Sequence, residues 1–362
     1  MTVLLDCRMA TWSGVGRYTT GLVRALADRD DLDLVLLTMA DDKPVVPEGE
    51  TVRCVTARAK PFSVAGLREA GRLAREVPFD VMHCLHFLTP FPAPDHLAVT
   101  IHDLTPLVVP SSMPDPARRA IYRWLNRRSG HAADRVIVPS HSTASDVAKL
   151  LHVPENHISV TPYAADDFAA GPVGELPPDL ADWLAGNPYV FTMGNTKSHK
   201  DLPTLLNAFQ RMSLQRPKLR LVLAGTEVPG FIESVLTRDA AVRARFTGPV
   251  SDEQLRALFA TAAVFVFPSR YEGFGLPPLE AMSFGTPTVV ADSSSLPEVV
   301  GHSAIRFRAG DVPALAFAIG RLLSDEAARA KYERAGRARA AEFSWARTAE
   351  ATVRVYREVH RA

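Results

Sequence analysis

Cysteine is scarce in this chain. Only Cys7, Cys54 and Cys84 occur, an odd count with no Cys-x-x-Cys pair, so neither a disulfide framework nor a zinc-binding spacing is suggested. No apolar run approaches the roughly 18–20 residues of a membrane-spanning helix. The first residues enter a strand pattern directly, without a basic leader. These absences make the cytoplasm the expected compartment. Net charge is nearly absent, +1 over 362 residues, which argues against an extended nucleic-acid-binding surface. Gly-x-Ser-x-Gly, the P-loop and His-Glu-x-x-His are missing too, which removes serine hydrolases, P-loop kinases and zinc peptidases. No metal site is expected.

What is present is an ordinary globular composition, 47% hydrophobic and 22% charged. A chain of this length exceeds one core and suggests two domains of about 150–200 residues. Short apolar runs at Val3–Leu5, Leu34–Leu37, Val52–Val55, Val81–Cys84, Ala98–Ile101 and Arg135–Val138 alternate with helical patterns such as Val64–Glu76 and Pro116–Ala132. Between Asp166 and Pro188 the periodicity lapses into Ala, Gly, Pro and Asp, a linker composition. A second series follows at Tyr189–Thr192, Leu219–Ala224, Arg245–Phe246, Val264–Phe267 and Thr288–Ala291. Near-continuous apolar strands alternating with helices predict two doubly wound α/β domains, with ligand loops at the strand C-termini facing a central cleft.

The most informative stretch runs from Phe267 to Gly301, FPSRYEGFGLPPLEAMSFGTPTVVADSSSLPEVVG. A strand leads into Glu272-Gly273-Phe274-Gly275-Leu276 and then Pro277-Pro278, where a helix should begin with Glu280 in its first turn. A glycine loop entering a helix N-terminus suits an anion.

The Glu-x7-Glu spacing and LPEVVG here resemble glycosyltransferase family four, retaining enzymes of the GT-B fold. DCRMATWSGVGRYTTGLVRAL, VTIHDLTPL, VIVPSHSTASDV, GNTKSHKDLPTLLNAF and FTGPVSDEQLRALFATAAVFVFPS agree, in the family's order and over nearly the whole chain. The resemblance implies two Rossmann-like domains, residues 1–168 for the acceptor and 169–344 for a nucleotide-sugar donor, with a helix over 345–362 packing back on the first.

It also implies roles. Glu280 would bind the nucleotide ribose and Glu272 the donor sugar, while backbone amides of Gly273, Phe274, Gly275 and Leu276 hold the sugar and diphosphate. Lys200 would neutralise the leaving diphosphate, and His102, beside Asp103, would orient the reacting groups. Members often carry Arg after the loop glycine, but Gly194 is followed by Asn195, leaving Lys197 or His199 as the second positive group. Val250 matches the backbone position that meets the base. Gly14 and Gly16 form a second anion-receptive turn; Thr19 excludes a dinucleotide fingerprint. Arg17 and Tyr18 are expected at acceptor or phosphate contacts, His83 and His86 along the acceptor side, and Asp6 with Arg8 as structural partners.

The implied activity is hexosyl transfer without a cofactor or metal, from a GDP- or UDP-linked sugar to a hydroxyl of a glycan, a lipid-linked sugar or a small molecule. SGVGRY and HDL resemble bacterial mannosyl- and related hexosyltransferases, which favours mannose. A nucleotide-sugar 2-epimerase of the same fold and a non-catalytic sugar-nucleotide-binding subunit remain alternatives. Arg119, Arg123 and Arg127 recur every four residues on a helix whose other face carries Ala117, Ile121, Trp124 and Leu125. They form either a solvated face or a weak contact with the inner face of an anionic membrane.

Overall fold

A computed structural model describes residues 1–42, 46 and 49–362. The chain forms two compact units, one of Met1–Tyr163 with Ser344–Ala362 and one of Ala164–Phe343. Each is built on a parallel sheet, as the run of buried apolar strands requires.

The sheet of the first unit holds β1 (Thr2–Asp6), β2 (Asp33–Met39), β3 (Val52–Ala57), β4 (Val81–Cys84), β5 (Leu97–Thr100), β6 (Arg135–Val138) and β7 (Ile158–Val160), in the order β3-β2-β1-β4-β5-β6-β7. Strand order reverses between β1 and β4, the kind of point at which doubly wound sheets open a crevice. The helix Trp345–His360 belongs to this unit and packs on the helix Ser13–Ala27. Trp345, Ala349, Val353, Tyr356 and Val359 are its buried stripe, at the helical spacing that makes one apolar face. A buried chain of hydrogen bonds ties it to the sheet: Tyr356 to His83 Nδ1 (2.7 Å), His83 Nε2 to Thr100 (2.8 Å), Thr100 to Tyr18 (3.0 Å).

The second sheet holds β8 (Tyr189–Met193), β9 (Arg220–Ala224), β10 (Ala244–Phe246), β11 (Val264–Phe267), β12 (Thr288–Ala291) and β13 (Ile305–Phe307), ordered β10-β9-β8-β11-β12-β13. Its reversal lies between β8 and β11, registered through Val190 with Val264 and Phe191 with Phe265.

Residues 166–188 are not a bare linker. They form helices Asp166–Ala170 and Pro178–Leu184, whose Phe168, Leu180 and Leu184 are buried. Arg256 caps this segment, donating to the Phe168 carbonyl (2.7 Å) with its guanidinium over the Phe168 ring. Few apolar residues suffice there because each finds a wall of the second unit, and a periodicity reading cannot see that.

Candidate active site

In the second unit the chain leaves β8 through Gly194, at φ +144°. Asn195 accepts the Lys197 amide on its side-chain oxygen (3.1 Å), a local turn that bends the chain into the short 3-10 turn Ser198–Lys200. That turn delivers Lys200 to the end of β11. Lys200 Nζ lies 2.6 Å from Glu272 Oε1, with both side chains less than a fifth exposed, and 5.2 Å from the centroid of the Phe267 ring. The residues expected at the donor sugar and at its diphosphate therefore meet at the reversal of strand order.

Backbone contacts weld the two loops together. The His199 carbonyl accepts from the Ser269 hydroxyl (3.0 Å) and the Arg270 amide (2.7 Å), and Arg270 pairs with the buried Asp201 (2.9 Å). His199 is itself buried and Lys197 is exposed. Arg270 is a cation of this cluster that sequence reading did not single out.

The glycine loop is held from behind by three consecutive serines, also unanticipated. Ser294 Oγ accepts the Glu272 amide (2.9 Å), Ser295 Oγ donates to the carbonyls of Glu272 (2.9 Å) and Phe274 (2.6 Å), and Ser293 Oγ donates to Ser269 (2.7 Å). The sequence signal was the run itself, in the turn that leads from β12 to the helix Leu296–Val300. Phe274 is buried with its ring against Phe343, so its backbone alone can serve a ligand.

Gly275 caps the helix Leu276–Ser283 at φ +115°, and a Cβ there would stand 2.8 Å from Leu296. Leu276, not Pro277, opens the helix, so Glu280 falls in the second turn and not the first. It is 2% exposed. Pro277 and Pro278 carry no N–H, which leaves Leu276 as the first-turn amide able to meet an anion. At the neighbouring strand ends, Gly225 and Gly248 form an antiparallel bridge, and a Cβ on Gly225 would be 2.6 Å from the Gly194 carbonyl oxygen. Val250 follows that bridge, partly exposed.

The remaining predicted residues lie in the first unit. Gly14 and Gly16 do not precede a helix: Ser13–Ala27 already includes them, with Trp12 as its N-cap. Gly14 has open space where a Cβ would stand, whereas Gly16 sits 2.2 Å from the Ala10 carbonyl oxygen by the same measure. Gly14 is thus the one with room for a ligand, and Gly16 is required for packing.

His102 follows β5, partly buried. Its Nε2 donates to the Leu85 carbonyl (2.9 Å), which can only accept, so Nδ1 is the acceptor for the Tyr163 hydroxyl. Burial pushes His102 down to about 4, despite the Leu85 contact pulling the other way, and pushes the Tyr163 phenol well up. Both ring nitrogens are therefore engaged and the ring is held neutral. Tyr163 was missed because nothing in its local sequence marks it.

Other expectations are corrected by burial. Tyr18, His83 and His86 are 0–1% exposed and do not line an acceptor surface. Tyr18 and His83 belong to the network beneath the C-terminal helix. His86 Nε2 faces Asp6 at 3.3 Å, and Arg8 grips Asp6 in a bidentate pair (2.8 and 2.7 Å) while donating to Gly66. Burial alone would raise the Asp6 carboxyl, but Arg8 and His86 hold it far below the usual carboxylate range. Arg119 is tied to the carbonyls of Met113 and Pro114, and Ile121 and Trp124, assigned to the face opposite the arginines, are exposed. Tyr122, Asn126 and Ser129 face inward instead.

The chain is similar to known proteins in sequence and in fold. Residues 12–167 match the family model described as Glycosyltransferase Family 4, and residues 182–339 the model Glycosyl transferases group 1. The O-antigen chain mannosyltransferase B of Escherichia coli is 31% identical over 95% of this chain and 96% of its own length. An alpha-maltose-1-phosphate synthase of Mycolicibacterium smegmatis is 28% identical over 96% of both. Among solved structures, a sucrose-phosphate synthase from Thermosynechococcus elongatus superposes with a TM-score of 0.75 at 20% identity, covering 99% of this chain and 98% of that one. An Anabaena protein in complex with UDP and glucose gives 0.73 at 18% identity, covering 99% and 100%.

Proposed function

The chain belongs to the group 1 glycosyl transferases of family four and has the GT-B fold, and from that premise we propose that it transfers mannose, with retention, from a nucleoside-diphosphate sugar to an acceptor hydroxyl. The observation that carries this reading is the Lys200–Glu272 pair, 2.6 Å apart beside a glycine loop where strand order reverses between β8 and β11. A donor diphosphate would take Lys200 from Glu272, and the freed carboxylate would turn to the hydroxyls of the sugar. The amides of residues 273–276 would share the phosphate charge, and Glu280 would meet the ribose. Charge neutralisation by fixed donors of this kind is the main means of lowering such barriers.

In the transfer, the bond from the anomeric carbon to the leaving phosphate breaks while the acceptor oxygen bonds to the same face. The acceptor proton passes to the leaving phosphate, and no metal is required. His102, neutral at physiological pH, would orient groups and carry no proton. Mannose is favoured by the Escherichia coli mannosyltransferase, alike over nearly its full length, and GDP is the favoured carrier with UDP as the alternative. The acceptor would be a glycan, a lipid-linked sugar or a small molecule.

A panel of GDP- and UDP-linked sugars, scored by thermal stabilisation and then by nucleotide release with a mannose-containing oligosaccharide, tests the proposal. GDP-mannose should raise the Tm most, since a ligand bound only to the folded state stabilises it by mass action, and acceptor should trigger GDP release. Greater stabilisation by a nucleotide linked to a different sugar would overturn the mannose assignment. Formation of an isomeric sugar nucleotide without acceptor would overturn transfer.

A further inference from the structure

The first unit carries an apolar groove that the transfer chemistry does not use. Phe62, Val64, Phe91, Ile121 and Trp124 are 48, 65, 53, 59 and 62% exposed, and all five line one open groove of about 500 Å³. Exposed apolar residues scattered singly are ordinary; a contiguous set marks an interaction surface. One wall is the helix Pro116–Ala132, whose Ile121, Trp124, Leu125 and Arg128 line the groove at positions i, i+3, i+4 and i+7, a single stripe.

The charged residues that line it are all basic. That helix holds five arginines and no acidic residue. Arg68 and Arg128 line the groove, Arg128 over the Phe91 ring (5.3 Å), and Arg123 and Arg127 are exposed on the same helix. Arg119, bound to backbone carbonyls, takes no part, and Arg128 is likewise held by the Thr89 and Pro90 carbonyls, which leaves the exposed Arg68, Arg123 and Arg127 to meet lipid phosphates. No helix among the described residues is long and apolar enough to cross a membrane, but a flat-lying helix needs only an apolar stripe with arginines beside it.

We propose that this face of the first unit seats on an anionic bilayer surface, with Trp124, Ile121 and the phenylalanines between the headgroups and the arginines on lipid phosphates. A second copy of the chain is a poor occupant, because an isologous contact would set arginines against arginines. The proposal stands apart from the donor assignment and does not depend on it.

The full chain is co-sedimented with phosphatidylcholine vesicles, with and without phosphatidylglycerol. It should pellet only with the anionic vesicles, less as salt rises. Ile121→Asp with Trp124→Asp should cut the bound fraction about tenfold or more with an unchanged Tm, since both side chains are already exposed. Arg123→Gln with Arg127→Gln should weaken binding and flatten its salt dependence. No binding to anionic vesicles, or binding that both double variants retain, would overturn the proposal. A dimer that Ile121→Asp with Trp124→Asp dissociates, without vesicle binding, would overturn it in favour of self-association.

Discussion

Lys200 and Glu272, separated by 72 positions in sequence, lie 2.6 Å apart and mostly shielded from water. The strand reversal between β8 and β11 places them there, and the His199 carbonyl, bonded to Ser269 and Arg270, holds the two loops in register. If Lys200 stabilises the leaving diphosphate, Lys200→Ala should lower kcat by about 10²–10³-fold, the cost of one removed electrostatic donor. KM for the acceptor should change less than about threefold. Steady-state kinetics in both substrates checks this; near-native kcat would contradict it.

Ser295 holds the glycine loop from behind. It is fully buried and its hydroxyl serves two carbonyls of the loop. Ser295→Ala removes the one proton these carbonyls share, at about 1–3 kcal/mol for a group left unsatisfied. Donor KM should rise about tenfold or more while acceptor KM holds, and Ser295→Thr, which keeps the hydroxyl, should recover part of the loss. A purely structural serine would lower the Tm and leave the donor KM of the folded enzyme unchanged.

Acid should unfold the first unit. Burial, with smaller contributions from the charges of His102 and His86, lowers His83 from 6.5 to about 3, and burial lowers His102 to about 4. The unfolded chain binds these protons at pH values where the folded chain refuses them. Stability is therefore complete above about pH 6.5 and falls as pH drops toward 4, by about 1.4 kcal/mol per pH unit for each histidine. Thermal melts from about pH 7.5 to 5 should show a steady loss of Tm, and His83→Gln should make the loss shallower. A Tm independent of pH over that range would contradict the burial account.

Gly21 tests how the C-terminal helix docks. A Cβ there would stand 2.1 Å from the indole of Trp345, so Gly21→Ala must push the helix Trp345–His360 outward. An overpacked core contact costs about 1–3 kcal/mol, read as a Tm lowered by several degrees. An unchanged Tm would mean that the helix does not depend on this contact.

Much of this was legible in the sequence. Val81–Cys84, Arg135–Val138, Val264–Phe267 and Thr288–Ala291 stand at their expected bounds because fully buried parallel strands are written as plain apolar runs. The strands Ile158–Val160 and Ile305–Phe307 were not legible: three residues long, at sheet edges, one interrupted by Ser159 and the other by Arg306. Gly14 and Gly16 read as a loop because glycine disfavours helix interiors, yet the approach of Gly16 to Ala10 demands one there. Lys200 and Glu272 could be named from their motifs, but their pairing and the serine strap behind them are properties of loops that converge only after the sheet has formed.

In the proposed transfer, Glu272 would serve the sugar and is held in waiting by Lys200. Calorimetric titration of wild type and Glu272→Gln with GDP and with GDP-mannose isolates this role. Glu272→Gln should bind GDP within about threefold of wild type while the advantage of GDP-mannose over GDP falls about tenfold or more. An equal loss for both ligands, or none for either, would contradict it.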